Sequence, residues 1–475
     1  MRTIFFLLIT SLFIQFTACA QSKNSENKKG YRIEVNVDGV KDTTIMLGYH
    51  LGDKKYVADT TFVNSSGVGV FEGDSLLDGG MYLIILPERT YFDILVGDNQ
   101  QFGVKTSFEN LIDDLEFTNS PENTAFANYQ RFMGEKQQRM AELRDQIQNT
   151  TEGDSLEKAT MEEINLLDKQ VKEYWDNLIV DNEGTFLATI IKSLKPVDIP
   201  EFEIPADVSN PDSLRWIMGY RYNQEHFFDN VDLTDDRLIR TPFFLGRLDT
   251  YFDRVLLPVP DTLTKYVARI LDTTKENKRM FQYVVSHLLT KFQASQIMGM
   301  DAVFVYIAEK YYLSGDVDWI SDEIKQKIQE RVSDLKPNLI GQVAPNLNLK
   351  DFNNTAHELH AINAKVTIVY FWEPGCSHCK KVTPVLNDLY KKYKDSGFEV
   401  YAIYTQGEID KWKEYINSKQ LSWINVWDPT RVSNYHKLYD IYSTPIIYVL
   451  DKNKKIIAKR IPVESLEKFL EEELK

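Results

Sequence analysis

Residues 366–381 read V-T-I-V-Y-F-W-E-P-G-C-S-H-C-K-K. The run from Val366 to Trp372 is apolar throughout and rich in β-branched and aromatic residues. A strand with one wet face alternates; a run without alternation belongs to a strand covered on both faces. Glu373-Pro374-Gly375 breaks it, and a helical pattern follows from about Ser377 to Lys394. A covered strand that turns directly into a helix requires a layered α/β fold with a central, partly parallel sheet.

The rest of the C-terminal segment agrees. Strand-like runs at 398–405, 422–428, 445–451 and 455–461 alternate with helical patterns at 408–420 and 464–474. This α/β domain is expected over 339–475. Upstream the periods differ. Residues 31–118 carry short strand-like runs ("RIEVNV", "TTIMLGYH", "YVADTTFV", "GVGVFEG", "MYLIILP", "YFDILVG") between Gly, Asp and Asn turns. They predict an antiparallel β domain, a sandwich or small barrel. At Ser120-Pro121 the period becomes helical, with Ser120 as N-cap and Pro121 at the first helical position. An α-helical domain is expected over 119–338. Its helices are placed at 153–182, where Leu156, Met161, Ile164, Leu167, Val171, Trp175 and Leu178 fall at helical spacing, and at 213–228, 241–256, 262–275, 278–297, 301–313 and 321–335. A proline-rich break, Pro196 to Pro211, divides them. The chain is therefore multidomain.

The N-terminus reads as a targeting signal. Arg2 precedes a short apolar run, Ile4–Ile14, too short to span a bilayer. Residues 1–19 are taken as a signal peptide and 20–30 as a polar tether. Phe16-Thr17-Ala18-Cys19 resembles a lipobox, which would make Cys19 a lipid-attachment site and anchor the protein to a membrane. Ala18-Cys19-Ala20 also fits ordinary signal cleavage. Either reading exports the chain, to the periplasmic side of a bacterial envelope. A net charge of −15 speaks against a nucleic-acid groove.

Apart from Cys19, Cys376 and Cys379 are the only cysteines. They form a local device, since two cysteines three apart cannot staple a scaffold. Cys376 falls where a helix N-terminus offers free N–H groups and a favourable dipole, which stabilise a thiolate. Cys379 lies one turn inside, on the same face. C-x-x-C beside a βαβ pattern points to thiol–disulfide exchange.

With these residues the segment 339–475 resembles the thioredoxin superfamily, in its TlpA/ResA-like branch. Gly341-x-x-Ala344-Pro345 precedes a short strand as in that branch. Phe371-Trp372 leads into C-x-x-C, Pro384 follows Cys379 by five residues, and Ser443-Thr444-Pro445 matches the cis-proline loop. The resemblance implies that Cys376 attacks a disulfide and Cys379 resolves the mixed disulfide. It implies that Trp372, Thr444 and Pro445 bound the substrate groove. The redox centre would be the Cys376–Cys379 disulfide, with no organic cofactor and no metal. Partners would be protein thiols or disulfides of the envelope and an upstream electron donor. His378, between the cysteines as in protein disulfide isomerases and DsbA-type oxidants, is expected to tune the potential. Two positions depart from the pattern: Tyr370 stands where thioredoxin has a buried aspartate, and Val382 where ResA-like proteins often have glutamate. The three-part layout also resembles uncharacterised bacterial envelope proteins, which implies no activity for residues 31–338.

Three other readings compete with thiol–disulfide exchange. His357-x-x-His360 with the two cysteines makes a zinc set on paper, but residues three apart on a strand face opposite sides. A peroxidase of the P-x-x-x-T-x-x-C type fails, because Val369 and Glu373 occupy the Pro and Thr positions. An envelope lipoprotein that acts mainly as a binding or assembly module, using the thioredoxin fold as scaffold, remains the alternative. His226 and His287 read as structural, and His436 as a surface or capping histidine.

Overall fold

The computed structural model describes residues 30–148 and 155–475. The signal peptide, Cys19 and the tether up to residue 29 lie outside the described residues. The chain divides into two compact units, one comprising residues up to 49 with 56–171, the other 50–55 with 172–475.

In the first unit the short runs form strands β1 (Arg32–Asp38), β2 (Thr43–Leu51), β3 (Lys54–Val63), β4 (Val68–Glu72), β5 (Gly80–Ile85), β6 (Tyr91–Val96), β7 (Gln101–Ser107) and β8 (Glu116–Thr118). They build two four-stranded sheets, ordered β4-β1-β7-β8 and β3-β2-β5-β6. Alternation does the work: Ile33, Val35 and Val37 of β1 are buried while Arg32, Glu34 and Asp38 are exposed. Both sheets feed one core that includes Ile45, Leu47, Ile84, Phe92, Ile94, Phe102 and Val104. The structure modifies the antiparallel expectation at one pair, since β1 and β7 run parallel. Strand order is a tertiary property, and a period of 2 carries no direction.

Helix α1 (Pro121–Gln148) starts at the expected proline. Asn123 bonds the edge of β6, accepting from the Leu95 N–H at 2.7 Å and donating to the Leu95 carbonyl at 2.8 Å. Helix α2 (Ser155–Asp181) buries Leu167 and Leu178, but Leu156 and Met161 of the expected apolar set are exposed. An ion pair of Arg139 with Glu163, at 2.7 Å, joins α1 to α2.

The second unit continues with α3 (Phe186–Leu194), α4 (Pro211–His226), α5 (Phe244–Thr250), α6 (Pro260–Thr274), α7 (Lys278–Ala294), α8 (Met300–Ile307) and α9 (Asp322–Leu335). The helices expected at 241–256 and 301–313 are not uniform. Each ends in a π turn, at Tyr251–Val255 and Ala308–Leu313. These turns place the buried rings of Tyr251 and Tyr311, and Tyr251 packs against Phe227, Phe228, Phe252 and Tyr266. His226 stacks on Tyr222 and bonds Asp229, while His287 bonds Asp249 at 2.9 Å.

The α/β part adds β9 (Asn348–Lys350), β10 (Ala356–Glu358), β11 (Val366–Trp372), α10 (Ser377–Tyr393), β12 (Phe398–Tyr404), α11 (Ile409–Lys419), β13 (Ile424–Trp427), α12 (Tyr435–Leu438), β14 (Ile446–Leu450), β15 (Ile456–Lys459) and α13 (Val463–Glu473). One seven-stranded sheet runs β10-β9-β13-β12-β11-β14-β15. Strands β11, β12 and β13 are parallel, and β14 lies antiparallel to β11. All seven residues of β11 are buried. Ile368, Tyr370 and Trp372 share a core with α10, α11 and α13, while Val369 and Phe371 pack on the opposite face with Tyr435 and Tyr439. That double cover explains the run without alternation. Among the described residues no helix is long and apolar enough to cross a membrane.

Candidate functional site

Strand β11 ends at Trp372, and the chain turns through Glu373-Pro374-Gly375 into α10. The turn closes when the Cys376 N–H donates to the Glu373 carbonyl at 3.3 Å. Cys376 is the N-cap of α10, and its Sγ accepts from the Cys379 N–H at 3.4 Å. An N-cap residue uses its side chain to satisfy a free helix donor, so the helix begins by holding this sulfur. Both cysteines are free thiols; Cys376 is partly exposed and Cys379 buried.

The loop before β14 closes the site. The Thr444–Pro445 peptide is cis. The Thr444 carbonyl accepts from Cys376 Sγ at 3.3 Å. The Thr444 hydroxyl donates to Glu373 Oε1 at 3.2 Å. Thus Thr444 touches the reactive sulfur with its backbone and the turn before it with its side chain.

These surroundings separate the two thiols. Burial alone would push Cys376 up, but the N–H groups of Cys379 and His378 and the Thr444 hydroxyl favour its thiolate and hold it below an ordinary thiol. Burial dominates at Cys379 and the adjacent Cys376 sulfur adds to it. The Glu373 N–H opposes them, and the result is pushed up to about 12. Of the two sulfurs, Cys376 is the one that more readily carries a thiolate.

The structure corrects one expected site residue. Trp372 is 0% exposed. It stacks on Tyr370 at 6.0 Å and packs against Tyr415 and Tyr404. Its side chain leaves β11 on the same face as Tyr370, under α10 and α11, so it is the floor beneath the cysteines and lines no groove. Tyr370, in the place of the thioredoxin aspartate, is also fully buried, with its hydroxyl 2.9 Å from Thr383 Oγ1. The His378 side chain is exposed; what it offers the Cys376 sulfur is its backbone N–H.

His357 and His360 take different partners: Asp351 at 3.3 Å for one, the Ala344 carbonyl at 2.8 Å for the other. Among the described residues no three His, Cys, Asp or Glu side chains gather as a metal would need. His436 is half-buried in the last turn of α12 against Tyr435, and its Nδ1 is buried without a partner. The side chain of Glu373 is the feature that sequence reasoning left unplaced. Its partner lies 71 residues away, and no local pattern announces that pairing.

Comparisons with known proteins follow this division of the chain. A model of the AhpC/TSA family matches residues 340–459, and a domain of unknown function (DUF5106) matches 171–338. The thiol-disulfide oxidoreductase ResA of Bacillus thuringiensis subsp. konkukian is 30% identical over 136 residues, which cover 29% of this chain and 77% of that protein. The chain belongs to the TlpA/ResA-like thiol–disulfide oxidoreductases of the thioredoxin superfamily. The ResA of Geobacillus kaustophilus is likewise 30% identical, over 28% of this chain and 76% of that protein. A domain of a possible thiol-disulfide isomerase from Cytophaga hutchinsonii is 43% identical, with 29% of this chain and 93% of that chain covered and a TM-score of 0.28. The AhpC/TSA match spans the α/β part that carries Cys376 and Cys379.

Proposed function

We propose that the protein exchanges thiols and disulfides of other proteins in the bacterial envelope, using Cys376-Ser377-His378-Cys379 as its redox centre. One observation carries this reading: Cys376 caps α10 with its thiol acidified, beside buried Cys379 and against the cis Thr444–Pro445 loop. Cys376 attacks one sulfur of a substrate disulfide and the other leaves as a thiolate. Cys379 then attacks Cys376, releasing the second substrate thiol and closing the Cys376–Cys379 disulfide. Net use is reduction or isomerisation, with electrons returned by an upstream dithiol donor. The cysteine pair is the whole redox centre, without an organic cofactor. Thr444 and Pro445 bound the groove for substrate backbone. The signal-like N-terminus supports export, and Cys19 is the proposed lipid attachment. Residues 31–118 and 119–338 serve docking or assembly.

The test is Cys376→Ser in a model-disulfide reduction assay with the full chain. Turnover is expected to vanish. Substantial remaining activity would instead favour a binding module that uses the fold as scaffold. A Cys379→Ala variant should capture envelope substrates as stable mixed disulfides. A fatty-acyl mass on the mature N-terminus would test Cys19, and a soluble form beginning at Gln21 would oppose lipidation.

A further inference from the structure

Resolution requires Cys379 to lose a proton in a buried place. The carboxylates that flank this cysteine in related folds are replaced here by Tyr370 and Val382. Tyr370 is committed to Thr383. The structure offers another acceptor. The Thr444 hydroxyl donates to Glu373 Oε1 at 3.2 Å, the Thr444 carbonyl accepts from Cys376 Sγ at 3.3 Å, and the hydroxyl favours the charged form of both sulfurs. Glu373 is half-buried, with a route to solvent, and its own N–H faces the Cys379 sulfur.

We propose that Glu373 accepts, through the Thr444 hydroxyl, the proton that Cys379 gives up when it resolves the mixed disulfide. The proposal rests on Cys376 as attacking and Cys379 as resolving thiol. In the step, Cys379 S–H passes its proton to Thr444 Oγ1 while the Thr444 proton moves to Glu373 Oε1. The Cys379 sulfur forms a bond to Cys376 Sγ, and the bond between Cys376 and the substrate sulfur breaks. The substrate cysteine leaves with the electron pair as a thiolate. The enzyme dithiol is oxidised and the substrate disulfide is reduced, two electrons each. The neutral Glu373 then releases its proton to solvent. When an external thiol donor reopens the disulfide, the path runs backwards and Cys379 recovers a proton. A proton held by a positioned acid or base typically contributes a hundredfold or more to a rate.

The alternative is that Glu373 merely ties the turn to the cis-proline loop. Glu373→Gln separates the two, because the amide oxygen still accepts from Thr444 but takes no proton. The groups that face Cys379 are Cys376 of α10, Tyr370 of β11 and Tyr415 of α11; Tyr404 of β12 faces Glu373. Burial holds the three tyrosines above their ordinary range, so they stay neutral across the pH range of the assay. His378, exposed on α10, is removed as a source of inflection by repeating the profile in His378→Ala.

The experiment mixes the reduced full chain with an aromatic disulfide whose thiolate is coloured and follows the two releases by stopped flow. The first release reports attack by Cys376, the second resolution by Cys379. Glu373→Gln should leave the first rate within about twofold and slow the second at least about tenfold at neutral pH. The second rate should lose the pH inflection that the wild type shows and rise with hydroxide. Glu373→Asp should recover part of the rate. An unchanged second rate and pH profile in Glu373→Gln, with a normal first release, overturns the proposal. Loss of the first release in the wild type would instead sink the reading on which it rests. Should Glu373→Gln fail to fold, Glu373→Ala replaces it, and a second release as fast as the wild type's in that variant overturns the proposal.

Discussion

Arg331 of α9 grips Asp440, a residue 109 positions later, with both terminal nitrogens of its guanidinium. Asp440 is 1% exposed and also accepts from Arg460 at 2.6 Å. It stands five residues before the cis proline, so the helical segment holds the root of the loop that faces Cys376. Removing one partner of a buried pair leaves a charge uncompensated, at about 3–5 kcal/mol. Arg460 remains, so Arg331→Met is expected to cost about 3 kcal/mol, and Arg460→Met less because Arg460 is the more exposed partner. Urea unfolding of the full chain followed by tryptophan fluorescence measures both. Equal midpoints for wild type and Arg331→Met would show that the pair contributes nothing.

The same contacts bear on a fragment spanning 339–475. Lys459 is buried and bonds Asp301 and the Asn338 carbonyl, both outside that fragment. The fragment is expected to fold and to reduce a small disulfide, but to melt below a longer piece that keeps residues 301–338. Matching melting temperatures would mean that the helical segment does not support the redox fold.

Much of this was legible in the sequence because it depends on neighbours in the chain. Val366–Trp372 announces a doubly covered strand through its missing alternation, and Glu373-Pro374-Gly375 announces the turn that puts Cys376 at a helix N-terminus. What escaped depends on distant pairing. Nothing near Glu373 points to Thr444, and nothing near Arg331 points to Asp440. Trp372 was misplaced for a related reason. Its position beside the cysteines suggests a groove, whereas its register with Ile368 and Tyr370 sends the ring into the core.

The two thiols should differ sharply in alkylation. Moving a thiol from the ordinary 9.0 to about 12 cuts its thiolate fraction about a thousandfold. At neutral pH iodoacetamide should modify Cys376 and leave Cys379 intact, and the rate at Cys376 should inflect below 9.0. Peptide mapping after a timed pulse at several pH values checks this. Comparable labelling of both cysteines would refute the assignment of nucleophile and resolver.

The correction at Trp372 separates stability from substrate binding. Trp372→Ala should cost about 3–5 kcal/mol, as deletion of a buried aromatic does. Trp372→Phe should keep the KM for a protein disulfide. Tyr442, two residues before Thr444 and 76% exposed, should behave in the opposite way. Tyr442→Ala should leave the melting temperature nearly unchanged and weaken binding of a protein substrate by about 1–2 kcal/mol. If Trp372→Phe raised KM and Tyr442→Ala did not, the groove would lie elsewhere.

Glu399 of β12 gives a pH dependence of known sign. Burial raises its carboxyl above the ordinary 4.5, against the Val400 N–H and the Tyr390 hydroxyl that favour its charged form. The folded protein therefore holds this proton more tightly than the unfolded chain. Its contribution to stability is fully present below pH 4.5 and is lost as pH rises through the folded value. Glu399→Gln keeps an acceptor for the Val400 N–H and carries no charge. It should raise the melting temperature at pH 8 more than at pH 5. A uniform effect at both pH values would show that the charge is not the cause.

His378 is the residue proposed to tune the redox potential. The sequence assigns the tuning to His378; the structure puts its ring in solvent and turns its N–H to the Cys376 sulfur. A donor to the thiolate stabilises the reduced form and makes the disulfide more oxidising. His378→Pro removes the N–H at a first-turn position that tolerates proline. His378→Ala removes the ring and keeps the N–H. Proline should therefore raise the Cys376 pKa and lower the potential, while alanine should change either less. Each tenfold change in the exchange equilibrium is about 30 mV for this two-electron couple. The wild-type potential is expected between about −270 mV, as in thioredoxin, and about −120 mV, as in DsbA. Glutathione titration of the three proteins, read by the fraction of Cys376 left free to alkylate, measures the order. An alanine shift equal to or larger than the proline shift would return the tuning to the ring.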